Sequence, residues 1–259
     1  MEDLSKTSGL ELKLDLKKHS LILGKNLNKI KPEVRYLKEP KEIPPRKGIT
    51  APEQLYYIYR GLRDIKDEDI IRGNKLRYDI IVIRPGKLGN ELMKTAGQNH
   101  RGGHGELYEV VYGEAWCLLQ KKDVKNSRII EDVILVKAAP GDKVVIPPEY
   151  GHTLINTGKT HLVVSRWVSS EFSPEYELYK MEGGAAYFVF EDSLGERFEA
   201  NPYYQEVPKM RVARPFKKIE KFGLSSSEPM YFLARVQARK FDFLNNPDKY
   251  DYSDVFEFL

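Results

Sequence analysis

Short apolar runs separated by glycine and proline fill the middle of the chain. They are DIIVI at 79–83, ELYEVV at 106–111, AWCLL at 115–119, VILV at 133–136, KVVI at 143–146, HLVV at 161–164 and AYFVF at 186–190. Breaks fall at Pro85-Gly86, Gly102-Gly103, Gly113, Pro140-Gly141, Pro147-Pro148, Gly158 and Gly183-Gly184. Such runs, rich in β-branched and aromatic residues and bounded by turn formers, predict strands. Many in succession predict a β-sandwich or barrel. Upstream the pattern differs. Leu10, Leu12 and Leu14 alternate with charges, which predicts one edge strand in an arm that otherwise runs along the surface. Thr50-Ala51-Pro52-Glu53 has the form of a capping box, and Leu55, Ile58, Leu62 and Ile65 follow at helical spacing. A helix is therefore predicted over about 51–63. The last forty residues carry Phe241, Phe243, Leu244, Tyr250, Tyr252 and Phe256. That segment is too apolar to stay in water and is expected to dock on the body or on a second subunit.

Composition narrows the function. Of 259 residues, 41% are hydrophobic, enough for a core and against wholesale disorder. Lys and Arg number 42 and Asp and Glu 38, so the net charge is only +4 and no basic footprint for nucleic acid stands out. No apolar stretch reaches the ~18 residues of a membrane span, and no membrane partner is expected. The first residues carry no apolar core behind their charges, so no signal peptide is expected. Cys117 is the one cysteine, which excludes an intramolecular disulfide and makes a reducing cytoplasm the expected compartment. Abundant Lys and Glu with little Cys or Met fits a hot environment.

Candidate chemistry concentrates in two clusters. One is Gly97-Gln98-Asn99-His100-Arg101-Gly102-Gly103-His104-Gly105-Glu106; the other is Pro147-Pro148-Glu149-Tyr150-Gly151-His152, with Asn156 beyond. In an extended chain Gln98 and His100 share a face, as do His104 and Glu106. Imidazole and carboxylate converging on one face suit a borderline divalent metal, and His152 could complete the set from a distant strand. The alternative for each cluster alone is turn histidines satisfied by the backbone. The chain has no G-x-S-x-G elbow, no P-loop and no G-x-G-x-x-G after a strand. Cys117 lies between apolar residues and reads as packing. His19 and His161 carry no assigned role, and Arg211–Lys221 reads as a solvated or subunit-facing stretch.

These residues resemble a known family. Gly97, His100, Glu106 and Gly113 look like the first cupin motif, and Gly141, Pro147, His152 and Asn156 like the second. More specifically, Arg77-Tyr78-Asp79, Leu88-Gly89-Asn90-Glu91, Lys94-Thr95-x-Gly97, Glu106-Leu107-Tyr108-Glu109-Val110 and Ile146-Pro147-Pro148 resemble the archaeal cupin-type glucose-6-phosphate isomerases, over roughly residues 50–190. The resemblance implies a mainly β, double-stranded β-helix (jelly-roll) cupin barrel with a few flanking helices and N- and C-terminal extensions. The boundaries expected are an arm at 1–48, the barrel at 49–200 and an extension at 201–259. It further implies a homodimer, a place in glycolysis or gluconeogenesis, a phosphosugar substrate and one divalent metal ion (Fe, Mn, Zn or Ni). Carried over, His100, Glu106 and His152 would be metal ligands and Glu106 the proton-transferring base. Thr95 and Gly97 fall near the substrate phosphate, and Tyr108 and Tyr176 at the sugar.

Three departures stand out. Gln98 replaces the first His of the family's His-x-His pair. Ile81 stands where a phosphate-binding Thr is expected, and Pro174 where a His is expected. Gln98 through its amide, or His104 from the glycine-rich loop, is a candidate fourth metal ligand. Lys94 or Arg84 could replace the lost phosphate anchor. Three functions remain open: a metal-dependent isomerase of glucose and fructose 6-phosphate, a degenerate cupin that binds a sugar phosphate or small anion without turnover, and a cupin enzyme of another reaction, such as an epimerase or dioxygenase.

Overall fold

A computed structural model describes residues 1–36, 52–193 and 195–259. Nine strands build the part that carries the candidate site: β1 (Gln54–Arg60), β2 (Leu76–Ile83), β3 (Asn99–Arg101), β4 (Glu106–Tyr112), β5 (Ala115–Lys122), β6 (Ile130–Ala138), β7 (Lys143–Ile146), β8 (Tyr150–Asn156) and β9 (Leu162–Ser169). Eight of them form two sheets, and β3 pairs separately with Ser173–Glu175. One has the order β7-β4-β9-β2-β1 and ends on Glu33–Tyr36. The other has the order β8-β5-β6 and continues through Arg211–Pro215 to Phe256–Phe258. From β6 to β9 the chain changes sheet at every step, and sheet neighbours come from distant parts of the sequence. This is a jelly roll: the protein is mainly β, as the apolar runs predict.

Both sheets are covered on both faces, which explains the composition of their strands. Leu162–Ser169 is buried at all eight positions. The first sheet's inner face holds Asp79, Ile81, Glu106, Tyr108 and Arg166, with Arg166 opposite both Asp79 and Tyr108. Its outer face holds Tyr78 and Trp167, which pack against Tyr231 of the C-terminal helix α1 (Met230–Gln237). The second sheet directs Cys117, Leu119 and Leu154 inward, where they join the main core, and Trp116, Leu118 and Ile155 outward into a second cluster.

Several expectations need correction. Residues 54–60 form a strand, and no helix covers them. Leu55, Tyr56, Tyr57, Ile58 and Tyr59 are all buried. A strand covered on both faces is apolar throughout, so any period can be picked out of it, including a helical one. Thr50 and Ala51 of the supposed capping box lie outside the described residues. Leu12–Asp15 is a strand, but it is the centre of a three-stranded sheet, between Glu2–Asp3 and Ser20–Leu23, not an edge. Leu12 and Leu14 are fully buried, so this part of the arm packs as core. The basic stretch from Arg211 keeps its charged side chains in solvent, as expected, but its backbone is not free: Arg211–Pro215 pairs in parallel with β6, and Arg211 and Arg214 bond Asp132 and Glu257. The tail docks on the body through Trp167, whose indole donates to the Met230 carbonyl at 3.3 Å.

Candidate functional site

Gln98 and His152 meet across an isolated bridge between the segment leading into β3 and strand β8, each backbone N–H donating to the other's carbonyl at 3.0 and 2.9 Å. Two glycines permit this approach. A Cβ at Gly97, which adopts a φ of +77°, would collide with the Tyr179 ring and the Thr153 hydroxyl. A Cβ at Gly151 would collide with the Asn99 amide. The bridge turns Gln98 and His152 into the space between the sheets, and His100, two residues on, points the same way. β4 supplies Glu106 from the opposite sheet.

The side chains meet there. His100 Nε2 lies 3.2 Å from Glu106 Oε1 and His152 Nε2 lies 3.8 Å from the same oxygen. One ligand atom from each of His100, Glu106 and His152 falls within 4.8 Å of the others. Gln98 Nε2 donates to Glu106 Oε1 at 2.6 Å, and the Tyr108 hydroxyl sits 2.7 Å from His152 Nε2. Both ring nitrogens of His100 and Nδ1 of His152 are buried without a hydrogen-bond partner. Leaving a buried imidazole nitrogen unpaired is costly, and a cation between the three residues would give His100 Nε2, which faces Glu106, the partner it lacks. The donor set of two imidazoles and one carboxylate is that of a borderline divalent metal, so these residues fit one.

Electrostatics hold the carboxylate charged. Burial pushes Glu106 up, but the Arg166 guanidinium beside it more than offsets this and leaves Glu106 well below the usual carboxylate range. Burial, aided by His100 and Arg166, lowers His152 to about 3, so it is a neutral imidazole with a lone pair to offer. Arg166 donates from Nη1 to Glu106 Oε2 at 3.1 Å and from Nε to Asp79 Oδ2 at 3.0 Å. Neither Arg166 nor the link to Asp79 was expected as part of the site. The signal available was charge inside a largely apolar strand, Arg166 in LVVSRWVS and Asp79, two residues after Arg77, in LRYDIIVI.

The other expected residues divide. Thr95, Gly97, Tyr108 and Tyr176 line one narrow pocket with Gln98, His152, Arg166 and Ile81. The Thr95 hydroxyl accepts from the Leu154 N–H at 3.0 Å. Lys94 does not line that pocket; its ammonium pairs with Glu91 at 2.9 Å. His104 turns away, its Nδ1 3.1 Å from the Leu244 carbonyl in the tail. Pro174 is the cross-strand partner of His100. Cys117 is buried, and burial pushes its thiol up, in keeping with a packing role. His19 and His161, given no role from sequence, contact one another, with 2.7 Å between Nδ1 and Nε2. Among the described residues no helix is long and apolar enough to cross a membrane.

The family model of glucose-6-phosphate isomerase (GPI) matches residues 47–206. A glucose-6-phosphate isomerase from Thermococcus onnurineus is 26% identical over 152 residues, 58% of this chain and 73% of that protein. One from Thermococcus litoralis is 32% identical over 105 residues, 40% of this chain and 48% of that protein. Among solved structures, oxalate oxidase in complex with the substrate analogue glycolate covers 47% of this chain and 54% of that one, at 15% identity and a TM-score of 0.36. A likeness so loose adds nothing to the strand order above.

Proposed function

The chain belongs to the glucose-6-phosphate isomerase family, and from that premise we propose that it is a metal-dependent isomerase interconverting glucose 6-phosphate and fructose 6-phosphate, with Glu106 moving the proton. The observation that carries this reading is the convergence of His100, Glu106 and His152, from three separate sheets, on one buried point. Aldose–ketose isomerisation shifts a proton between C2 and C1 of the open-chain sugar and needs a base there. Glu106 is ionised and fixed in place by Gln98 and Arg166, so it is in the form that accepts a proton, while the Arg166 charge beside it lowers its basicity. His100 and His152, with Glu106, would hold a divalent cation, and Gln98 stands beside them. Bound there, the cation would supply Lewis-acid stabilisation of charge on the sugar oxygens. Tyr108 and Tyr176 line the space for the sugar, and Thr95 and Gly97 the end assigned to the phosphate. Ile81 offers that phosphate no donor, and Lys94, paired with Glu91, lies outside the lining. The protein is read as cytoplasmic and homodimeric, with the arm at 1–48 and the extension at 201–259 flanking the barrel at 49–200.

A second reading has its own support. Gln98 presents an amide nitrogen to Glu106 Oε1 where a metal-ligating imidazole is the family pattern. Together with Ile81, this favours a cupin that binds a sugar phosphate or small anion without turnover. One experiment separates the two. Purified protein, stripped with chelator and resupplied with Mn²⁺, Fe²⁺, Zn²⁺ or Ni²⁺, should convert glucose 6-phosphate to fructose 6-phosphate. Glu106→Gln should lower kcat by about 10²–10⁴-fold, the usual contribution of a positioned acid–base group, while still binding fructose 6-phosphate. Sugar-phosphate binding with no conversion under any metal would leave the second reading standing. Full activity in Glu106→Gln would remove its role as base.

A further inference from the structure

Arg166 is a buried cation whose fork is divided between two carboxylates. Nη1 donates to Glu106 Oε2 at 3.1 Å, while Nε and Nη2 each lie 3.0 Å from Asp79 Oδ2. Asp79 is itself anchored. Its Oδ1 accepts from the Gly61 backbone N–H at 2.9 Å and from Arg77 Nε at 3.1 Å. The result is a row across the inner face of one sheet, Glu106–Arg166–Asp79–Arg77, with Arg166 between Tyr108 and Asp79 in register.

Neutralising Glu106 does not require that row. One guanidinium balances one carboxylate. Adding Asp79 brings a second negative charge into the interior, which then calls for Arg77. A buried charge beyond need is expensive. What the extra pair adds is geometry. A guanidinium held by one carboxylate can pivot about its long side chain; one clamped by a second, fixed carboxylate is planar and stationary. The two oxygens of Glu106 thereby become unequal. Oε2 is committed to Arg166, and Oε1 alone faces His100 Nε2, His152 Nε2 and Gln98 Nε2.

We propose that Arg166, clamped by Asp79, is a positioning residue that fixes the Glu106 carboxylate so that only Oε1 is presented to His100 and His152. This rests on the reading of Glu106, His100 and His152 as a metal-holding, proton-transferring group. Asp79 is the remote position, because no contact joins it to Glu106 or to the histidines, and it is absent from the pocket lining. Asp79→Asn can reach the site through Arg166 or through Arg77, whose guanidinium lies over the Phe172 ring that meets His100 edge-on, so Arg166→Lys carries the decision.

The test measures affinity for Mn²⁺ and Zn²⁺ by chelator competition, and kcat and KM, in the wild type, Arg166→Lys and Asp79→Asn. Arg166→Lys keeps the charge and loses the fork. Groups that orient metal ligands typically account for 10–100-fold in metal affinity or activity. Arg166→Lys should therefore weaken metal binding and lower kcat by about 10–100-fold, with KM changed far less. Asp79→Asn should follow in the same direction by a smaller factor. If both variants fold and stay within threefold of wild type in metal affinity and kcat, the proposal is overturned. If neither variant folds, a crystal structure of metal-loaded wild type decides: Oε1 on the metal with Oε2 on Arg166 supports it, and ligation through Oε2 refutes it. A wild type that binds metal but isomerises nothing defeats the isomerase reading and leaves the affinity comparison intact. A wild type that binds no metal removes the premise and this proposal with it.

Discussion

The two faces of the sheet β7-β4-β9-β2-β1 make opposite use of burial. On the inner face Glu106, Arg166 and Asp79 spend burial on charge, and the two histidines of the facing elements are left with unpaired nitrogens. On the outer face, of the adjacent residues of the same strands, Trp167 stacks on Tyr231, Tyr78 meets Tyr231 edge-on, and Phe241 packs on Trp167. One buried ion pair is admitted there. Lys143 pairs with Glu109 at 2.6 Å, while Glu109 accepts from the Met230 N–H and Lys143 donates to the Glu228 carbonyl. Each member of that pair holds one backbone group of the tail, and Lys143 also donates to the Gly141 carbonyl. Buried charge that is fully used by the fold marks structure; buried charge beside unpaired ligand atoms marks a candidate site.

That contrast has measurable consequences. Trp167→Ala should destabilise the protein by about 3–5 kcal/mol, read from urea denaturation, because the indole is fully buried against the tail. The kcat of the folded fraction should stay near wild type, since Trp167 faces away from Glu106. A tenfold fall in kcat would mean that the two faces are coupled.

The His19–His161 contact lies outside the candidate site and is expected to act through pH. Burial first, then His19 and Arg84, lower His161 from its ordinary value to about 4. A histidine depressed in the fold binds its proton more readily when unfolded. Its contribution is therefore complete above the unfolded pKa near 6.5 and disappears as pH falls from there towards 4. Urea midpoints should drop across that window by an amount worth about 1–3 kcal/mol, and the drop should shrink in His161→Asn. An unchanged pH profile in that variant would exclude the pair as its source.

The smallest change is expected at His104. Among the described residues its hydrogen-bond contact is with the Leu244 carbonyl in the tail, so His104→Ala should cost about 0.5–1.5 kcal/mol and leave metal affinity at the wild-type value. A tenfold loss of metal would return His104 to the candidate ligands.

Much was legible from the chain. Seven apolar runs with turn residues between them correspond to strands, because alternation and breakers act locally. The pairing of Gln98 with His100 on one face follows from a repeat of two, and His152 ends a proline-stiffened turn. The first strand was not legible. With both faces buried, residues 54–60 lose the alternation that separates strand from helix.

The family resemblance and the three candidate ligands could be read without coordinates, since each rests on residue types at short, fixed spacing. Which charges support them could not. Arg166 stands 60 residues from Glu106 and 87 from Asp79, and only the antiparallel register of β4, β9 and β2 brings them into one row. His104 shows the converse. It lies two residues from Glu106, yet it turns to a tail residue 140 positions away, because a glycine-rich loop follows packing and not strand alternation.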